Sequence, residues 1–390
     1  MIIKKTLVAA IAGLAVSTTS GAALAQTQGV APNEIVVGTI QDLSGPLAGA
    51  SKHIRDGLQM RLDEANDQGG VAGRKVRLVV EDNGYDPRKA ALAAQKLVNG
   101  DKVFAVLGHI GTITNLAALP VLQERGVINF MPASGARQLF EPADKLKAAW
   151  LVPYYDEMFM ALKWLAKDKG AKKVGILYQD DEFGLENQRG AEAALKAMGM
   201  TFAESTTYKR GATDFSSQVA KLKAAGCDVV VLGTVVRESV GVLVEAQKIG
   251  FKPAFLAPLP AYHHLLPMLS KGAAEGLYAV ASVDYPYVDA PGTAGDWAKR
   301  YKSRFSDDPS TFAALGYTVA DLFIRAAEKA GSGLTADSLS RALESGPYAD
   351  RTFGGPECRI TPTNRLCNKT AGVAQVQNGK WVRVVSKLTD

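Results

Sequence analysis

At 390 residues the chain is too long for one hydrophobic core and of a size for two domains. With 47% apolar and 22% charged residues it is an ordinary globular sequence, which excludes long disorder. A formal net charge of +6, spread along the chain rather than gathered in runs, excludes an electrostatic footprint for nucleic acid.

Two of those charges, Lys4 and Lys5, precede an apolar stretch over 7–16 and a small-residue run ending at Ala23, Leu24 and Ala25. The apolar core is about ten residues, half of what a bilayer-spanning helix needs, and Thr18, Thr19, Ser20 and Gly21 interrupt it. A cleavable signal peptide over 1–25 is therefore expected, leaving a periplasmic chain with no membrane anchor. No Cys follows the cleavage site to carry a lipid.

From residue 34 onward β-branched runs alternate with helical patterns. Strands are predicted at 35–40, 76–80, 103–107 and 127–131, with helices at 55–68, 87–97 and 114–124 between them. The strands lack polar alternation, so this β-α-β-α-β-α-β series predicts a parallel sheet covered on both faces. The rhythm starts again after Trp150, with helices at 156–169, 185–198, 215–225 and 238–248 and strands at 174–178, 202–208, 229–232, 254–256 and 277–283. Two α/β sheets account for this better than one very wide sheet. Helical patterns at 297–305, 312–330 and 334–344 have no strands of their own and are expected to pack on a sheet made earlier. Strand signals at 372–377 and 381–385 flank Asn378 and Gly379 and predict a hairpin.

Cys358 and Cys367 lie nine residues apart in a loop containing Pro and Asn, whereas Cys227 opens an apolar run. A disulfide between Cys358 and Cys367 is expected, since the compartment permits it and none of the four His lies near to complete a zinc site.

In open α/β sheets ligands bind beyond the carboxyl ends of strands. The loop over 108–115 runs into a helix start and offers backbone N–H groups with Thr112 and Thr114, a combination suited to a carboxylate. The alternative is that either Thr merely caps its own helix. Ser134, between Ala133 and Gly135, offers a hydroxyl but lacks the Gly-x-Ser-x-Gly elbow of a nucleophile. No Gly-x-Gly-x-x-Gly or Gly-Lys-Ser/Thr motif occurs, so no dinucleotide or nucleoside triphosphate is implied. No catalytic residue, cofactor or metal is assigned. His263 and His264 are read as surface or rim histidines, and Asp180, Asp181 and Glu182 as a solvated helix start rather than a cation site. Of Tyr85, Tyr154, Tyr155, Phe183, Tyr262, Tyr285 and Tyr287, half are expected in the core and half around an apolar pocket.

Several segments together resemble the leucine/isoleucine/valine-binding protein family, the receptors of branched-chain amino acid and amide ABC importers. The carriers are 35–40 with Leu43, Ser44, Gly45 and Pro46, the stretches 63–71 and 82–87, Gly108 with His109, 180–184, and Asp214 with Phe215 and Ser216. The resemblance implies an α/β type I periplasmic-binding-protein fold, two doubly wound parallel-sheet lobes joined by three hinge crossings near 150–153, 282–285 and 349–353. Lobe 1 would comprise 26–151 with 284–350, and lobe 2 would comprise 152–283 with 351–390. It also implies a ligand carboxylate held at Gly111 and Thr112 and at Ala133 and Ser134. The family threonine that meets the ligand amine corresponds to Gly135, and the family acid to Leu259. Wall positions correspond to Phe183, Val235 and Phe312, with Tyr154, Glu238 and Tyr262 as further candidates. A pocket that keeps its carboxylate end and loses its ammonium partner fits a small carboxylate with an apolar or aromatic body, because an unpaired buried ammonium costs several kcal/mol.

The implied function is that of a monomeric receptor serving ABC permease subunits, with a branched-chain amino acid or amide as the alternative ligand. Two other classes share this fold pattern: a hydrolase or dehydrogenase, for which the sequence offers no machinery, and a periplasmic sensor component. Denatured, unreduced protein should titrate as one free thiol, Cys227; three free thiols would refute the bridge.

Overall fold

A computed structural model describes residues 27–388, so the export signal read over 1–25 lies outside the described residues. The first series of apolar runs becomes β1 (Glu34–Gln41), β2 (Lys75–Asp82), β3 (Ala105–Leu107), β4 (Ile128–Phe130) and β5 (Lys147–Ala148). They pair in the order β2-β1-β3-β4-β5, all parallel. Helices α1 (Ala48–Asp67), α2 (Pro87–Gln95) and α3 (Thr112–Glu124) make the crossovers and cover both faces, which is why β1 is buried from Ile35 to Gln41. The start of α2 is set locally: Asp86 accepts the N–H groups of Arg88 and Lys89, and Pro87 supplies a helical φ.

The second series forms β6 (Val174–Gln179), β7 (Glu204–Tyr208), β8 (Val229–Gly233), β9 (Ala254–Ala257) and β10 (Tyr278–Ala281), joined by α4 (Tyr154–Lys169), α5 (Glu182–Ala197), α6 (Ser216–Ala224), α7 (Val236–Lys248) and the short α8 (Leu265–Leu269). Its order is β12-β11-β10-β9-β8-β6-β7, where β11 (Gly372–Gln377) and β12 (Lys380–Val385) are an antiparallel hairpin added at the β10 edge. Asn378 and Gly379 turn it with φ of 53° and 73°, the left-handed pair that a two-residue hairpin requires. The two-residue β5 and the five-residue α8 are too short to leave a periodic signal in the sequence.

Between β10 and the hairpin the chain forms α9 (Gly292–Phe305), α10 (Thr311–Ala330) and α11 (Ala336–Glu344). These helices return to the first sheet. Phe323 of α10 packs against Phe104 and Phe130, with ring centroids 6.3 and 5.7 Å away. α10 also lies backbone to backbone on α1, and two glycines permit this: a Cβ on Gly57 would meet the Ala313 carbonyl at 2.1 Å, and one on Gly316 would meet the Ile54 carbonyl at 2.2 Å.

Cys358 and Cys367 are joined, and Cys227 is free and buried. The bridged loop, read from sequence as part of the second lobe from residue 351, instead runs beside β5 of the first sheet. Cys367 N–H donates to Ala149 O at 2.8 Å, and Ala149 N–H to Arg365 O at 2.9 Å. Arg365 Nε donates to Lys147 O, and its guanidinium pairs with Glu344 at 2.8 Å. The chain therefore reaches β11 only after Asn368, because a buried Arg needs the carbonyls and carboxylate that the first unit supplies. No described helix is long and apolar enough to cross a membrane.

Gly57→Ala should cost about 1–3 kcal/mol as the two helices are forced apart. Thermal unfolding checks this: a drop of several degrees is expected, while Gly333→Ala, exposed and with nothing near the added methyl, should melt with the parent. Equal melting of all three proteins would show that the α1–α10 contact is not close-packed.

Candidate functional site

The carboxyl ends of both parallel sheets face a cavity of about 230 Å³. From the first sheet come Tyr85, Ile110, Gly111, Thr112 and Ala133; from the second, Phe183, Val235, Val236, Arg237, Leu259 and His263; Phe312 enters from the start of α10. Leu47, Ala50 and Leu265 close the apolar wall. Among these lining residues Arg237 carries the one full charge and no carboxylate appears.

Two helix starts open onto this space from opposite sheets. α3 begins at Gly111 and α7 at Val235, and neither has a side-chain cap, so their first N–H groups face the cavity side without an internal acceptor. Gly111 must be glycine: its φ is 91°, and a Cβ there would touch the Tyr85 ring at 2.8 Å. Thr112 does not cap its helix; its hydroxyl lies 2.9 Å from Ser134 Oγ. Thr114 donates back to the Ile110 carbonyl at 2.6 Å, so it is not a cap either. The Tyr154 phenol is raised out of its usual range chiefly by burial, and the hydroxyls of Ser134 and Thr112 oppose that rise. Three hydroxyls thus gather at the α3 end of an otherwise apolar cavity.

The structure brings Gly111, Thr112, Ala133, Tyr154, Phe183, Val235, Leu259 and Phe312 to one cavity wall. Tyr154 at the start of α4 and Phe183 of α5 meet edge to face at 5.0 Å, both from the second unit. Ser134 stands behind Thr112. Gly135 does not line the cavity: a Cβ there would meet the Val152 carbonyl at 2.6 Å, so its role is to let the chain pass beneath Tyr154. Tyr262 is turned into the second core against Tyr285 and Trp381. Glu238 is buried within α7 and held by Arg237 at 2.8 Å. Asp181 caps α5 by accepting from Phe183 and Gly184 N–H, at 3.1 and 3.4 Å.

His263 is not a surface or rim residue: it is fully buried and lines the cavity, and its Nδ1 accepts the Leu265 N–H at 3.1 Å. The sequence leaves Arg237 unassigned to the site and Tyr85 undecided between core and pocket wall. Tyr85 adopts φ 57°, and its hydroxyl accepts from Gln179 of the second sheet at 3.1 Å. The available signal for Arg237 was its place in the first turn of a helix that follows a buried strand.

A family model described as periplasmic binding protein matches residues 34–380. A Leu/Ile/Val-binding protein homolog of Brucella suis is 27% identical over 404 residues, spanning 98% of this chain and 96% of that protein. Among solved structures, a fatty acid ABC transporter substrate-binding protein from Thermomonospora curvata superposes with a TM-score of 0.86 at 25% identity, covering 94% of this chain and 95% of that one. A branched-chain amino acid transporter substrate-binding protein from Streptococcus pneumoniae, solved with isoleucine, has a TM-score of 0.79 at 22% identity over 91% and 100% of the two chains, a likeness of fold.

One acid lies just behind the wall. Glu157 of α4 is wholly buried, accepts the Leu259 N–H at 3.2 Å through Oε1, and has no partner at Oε2. Burial pushes its pKa well above the ordinary Glu range. A group whose folded pKa is raised contributes most below its unfolded pKa, about 4.3, and that contribution is lost as pH rises toward the folded value, by up to about 1.4 kcal/mol per pH unit. Glu157→Gln keeps the acceptor without the titration, so its stability relative to the parent should grow from pH 4 upward. Parallel stability profiles in urea titrations would mean that Glu157 is ionised in the folded protein.

Proposed function

The chain belongs to the periplasmic binding protein family, and we propose that it serves an ABC importer by closing on a small carboxylate with an apolar or aromatic body. It is a substrate-binding receptor and not an enzyme. The observation that carries the ligand class is the cavity's charge pattern: the uncapped starts of α3 and α7 present N–H groups, Arg237 is paired with Glu238, and no lining carboxylate answers an ammonium. A carboxylate at the α3 end would accept N–H groups and the Thr112 hydroxyl, while its body packs between Tyr154, Phe183 and Phe312.

The fatty acid named for the Thermomonospora curvata protein agrees with this reading in chemistry. A branched-chain amino acid or amide is the second reading, favoured by the name of the Brucella suis relative. We further infer export through the signal at 1–25, a monomer without an anchor, and lobe crossings near 150–153, 282–285 and just beyond Asn368. Ligand bridging would stabilise the closed form by its differential affinity and present one composite surface to the permease.

A thermal-shift screen should raise the melting temperature with aliphatic or aromatic monocarboxylates more than with their amides or with free amino acids. Thr112→Val removes a hydrogen bond to a charged group, worth about 1.5–3 kcal/mol, and should weaken a carboxylate roughly ten- to a hundredfold in calorimetry. Equal losses for a carboxylate and its uncharged amide would refute the anchor. A larger shift with leucine or valine than with the matching fatty acids would favour the second reading.

A further inference from the structure

Beside the cavity lies a group of side chains that ligand binding does not use. His53 of α1 packs against His264, which follows β9, with ring centroids 5.4 Å apart. Asp307, in the turn after α9, brings Oδ2 to 3.4 Å from His53 Nε2. One donor atom from each of His53, His264 and Asp307 lies within 4.8 Å of the other two. We propose that these three residues bind a divalent transition-metal ion of the zinc or nickel class, and that the ion ties the first unit to the second. His53 and Asp307 belong to α1 and the end of α9, which share a core through Met60, Trp297 and Tyr301. His264 belongs to the segment that leaves β9 of the other sheet.

Geometry favours a metal over an accidental cluster. His264 Nδ1 lies 3.0 Å from the Tyr285 hydroxyl; in the tautomer whose Nδ1–H donates to that oxygen, Nε2 is free to ligate, the outer-shell arrangement usual for metal-bound histidine. The donor set is two imidazoles and a carboxylate, a His₂Asp set.

The spacing suits a small ion after modest movement. Ligands of a tetrahedral ion at 2.0–2.1 Å stand about 3.3 Å apart, a separation the His53–Asp307 pair has nearly reached, so His264 alone must swing inward. Lys52, 2.8 Å from Asp307 Oδ2, is the cation that the metal must displace. Lys52 is half exposed and free to withdraw into water.

The test is calorimetric titration of untagged protein with Zn²⁺ and with Ni²⁺, in the absence of any organic ligand, followed by thermal unfolding with and without the ion. One ion per chain is expected, with a rise in melting temperature. Affinity should fall at least tenfold in His264→Ala and in Asp307→Asn, and the temperature rise should vanish in both. Asp307 is partly exposed, so Asp307→Asn guards against loss of binding through misfolding of the His264 variant. Absence of saturable binding near one ion per chain, or unchanged affinity in the two variants, would overturn the site. Because no organic ligand is added, that failure would leave the receptor reading standing.

Discussion

The carboxyl ends of two parallel sheets point at one another, and the rest of the molecule follows from that arrangement. Each strand that ends there must hand the chain to a helix, and the helix starts leave N–H groups that need acceptors. In α2, α5 and α10 the acceptor is a side chain, from Asp86, Asp181 and Ser310. At α3 and α7 no side chain serves, and both starts border the cavity, one from each sheet. On the proposed reading the ligand's carboxylate takes the place of the missing cap. An anion is then favoured twice, by directed donors and by the helix dipoles, before any ligand body is considered.

Polar contacts join the units around this space, among them Gln138 to Glu182 at 3.0 Å and the Arg137–Asp156 pair. Arg210 donates to the Tyr85 carbonyl at 2.8 Å, Gln179 to the Tyr85 hydroxyl at 3.1 Å, and Thr311 to the Tyr262 carbonyl at 2.8 Å. Such bonds contribute about 0.5–1.5 kcal/mol each after water is accounted for, so together they amount to a few kcal/mol. Moving a two-state equilibrium from 1:99 to 99:1 takes about 5.5 kcal/mol, the same order. Contacts of this strength leave closure sensitive to one bridging ligand.

Legibility in the sequence tracked how local each signal was. Strands such as β1 and β8 announced themselves because burial on both faces demands an unbroken apolar run, and the Asn378–Gly379 turn because few residues accept its φ values. The Cys358–Cys367 pairing was legible from spacing, but its position beside β5 was not, since Lys147 and Glu344 recruit Arg365 from far along the chain. The α1–α10 contact depends on Gly57 and Gly316, which lie in separate helices and each look like an ordinary helical glycine. Arg237 and His263 escaped assignment, and Tyr85 stayed undecided, for the same reason. Each sits in a different βα loop, and only the facing sheets make them neighbours.

Gly135 shows how one residue type reshapes a pocket. The family resemblance sets a threonine at this position, where its hydroxyl would meet a ligand amine. Here the missing side chain lets the Val152 carbonyl approach to 2.6 Å of where a Cβ would stand, and Tyr154 N–H donates to the Gly135 carbonyl at 3.1 Å. That bond fixes the first turn of α4 and delivers the Tyr154 ring against Phe183. The same glycine therefore removes a polar group and installs an aromatic wall. Leu259, in place of the family acid, offers the cavity an apolar side chain while its N–H turns away to Glu157. The two departures act in one direction: each withdraws a partner from an ammonium and adds apolar surface, while the α3 end keeps its donors. On the proposed reading, a ligand that retains its carboxylate and gives up its amine is the one that these groups match.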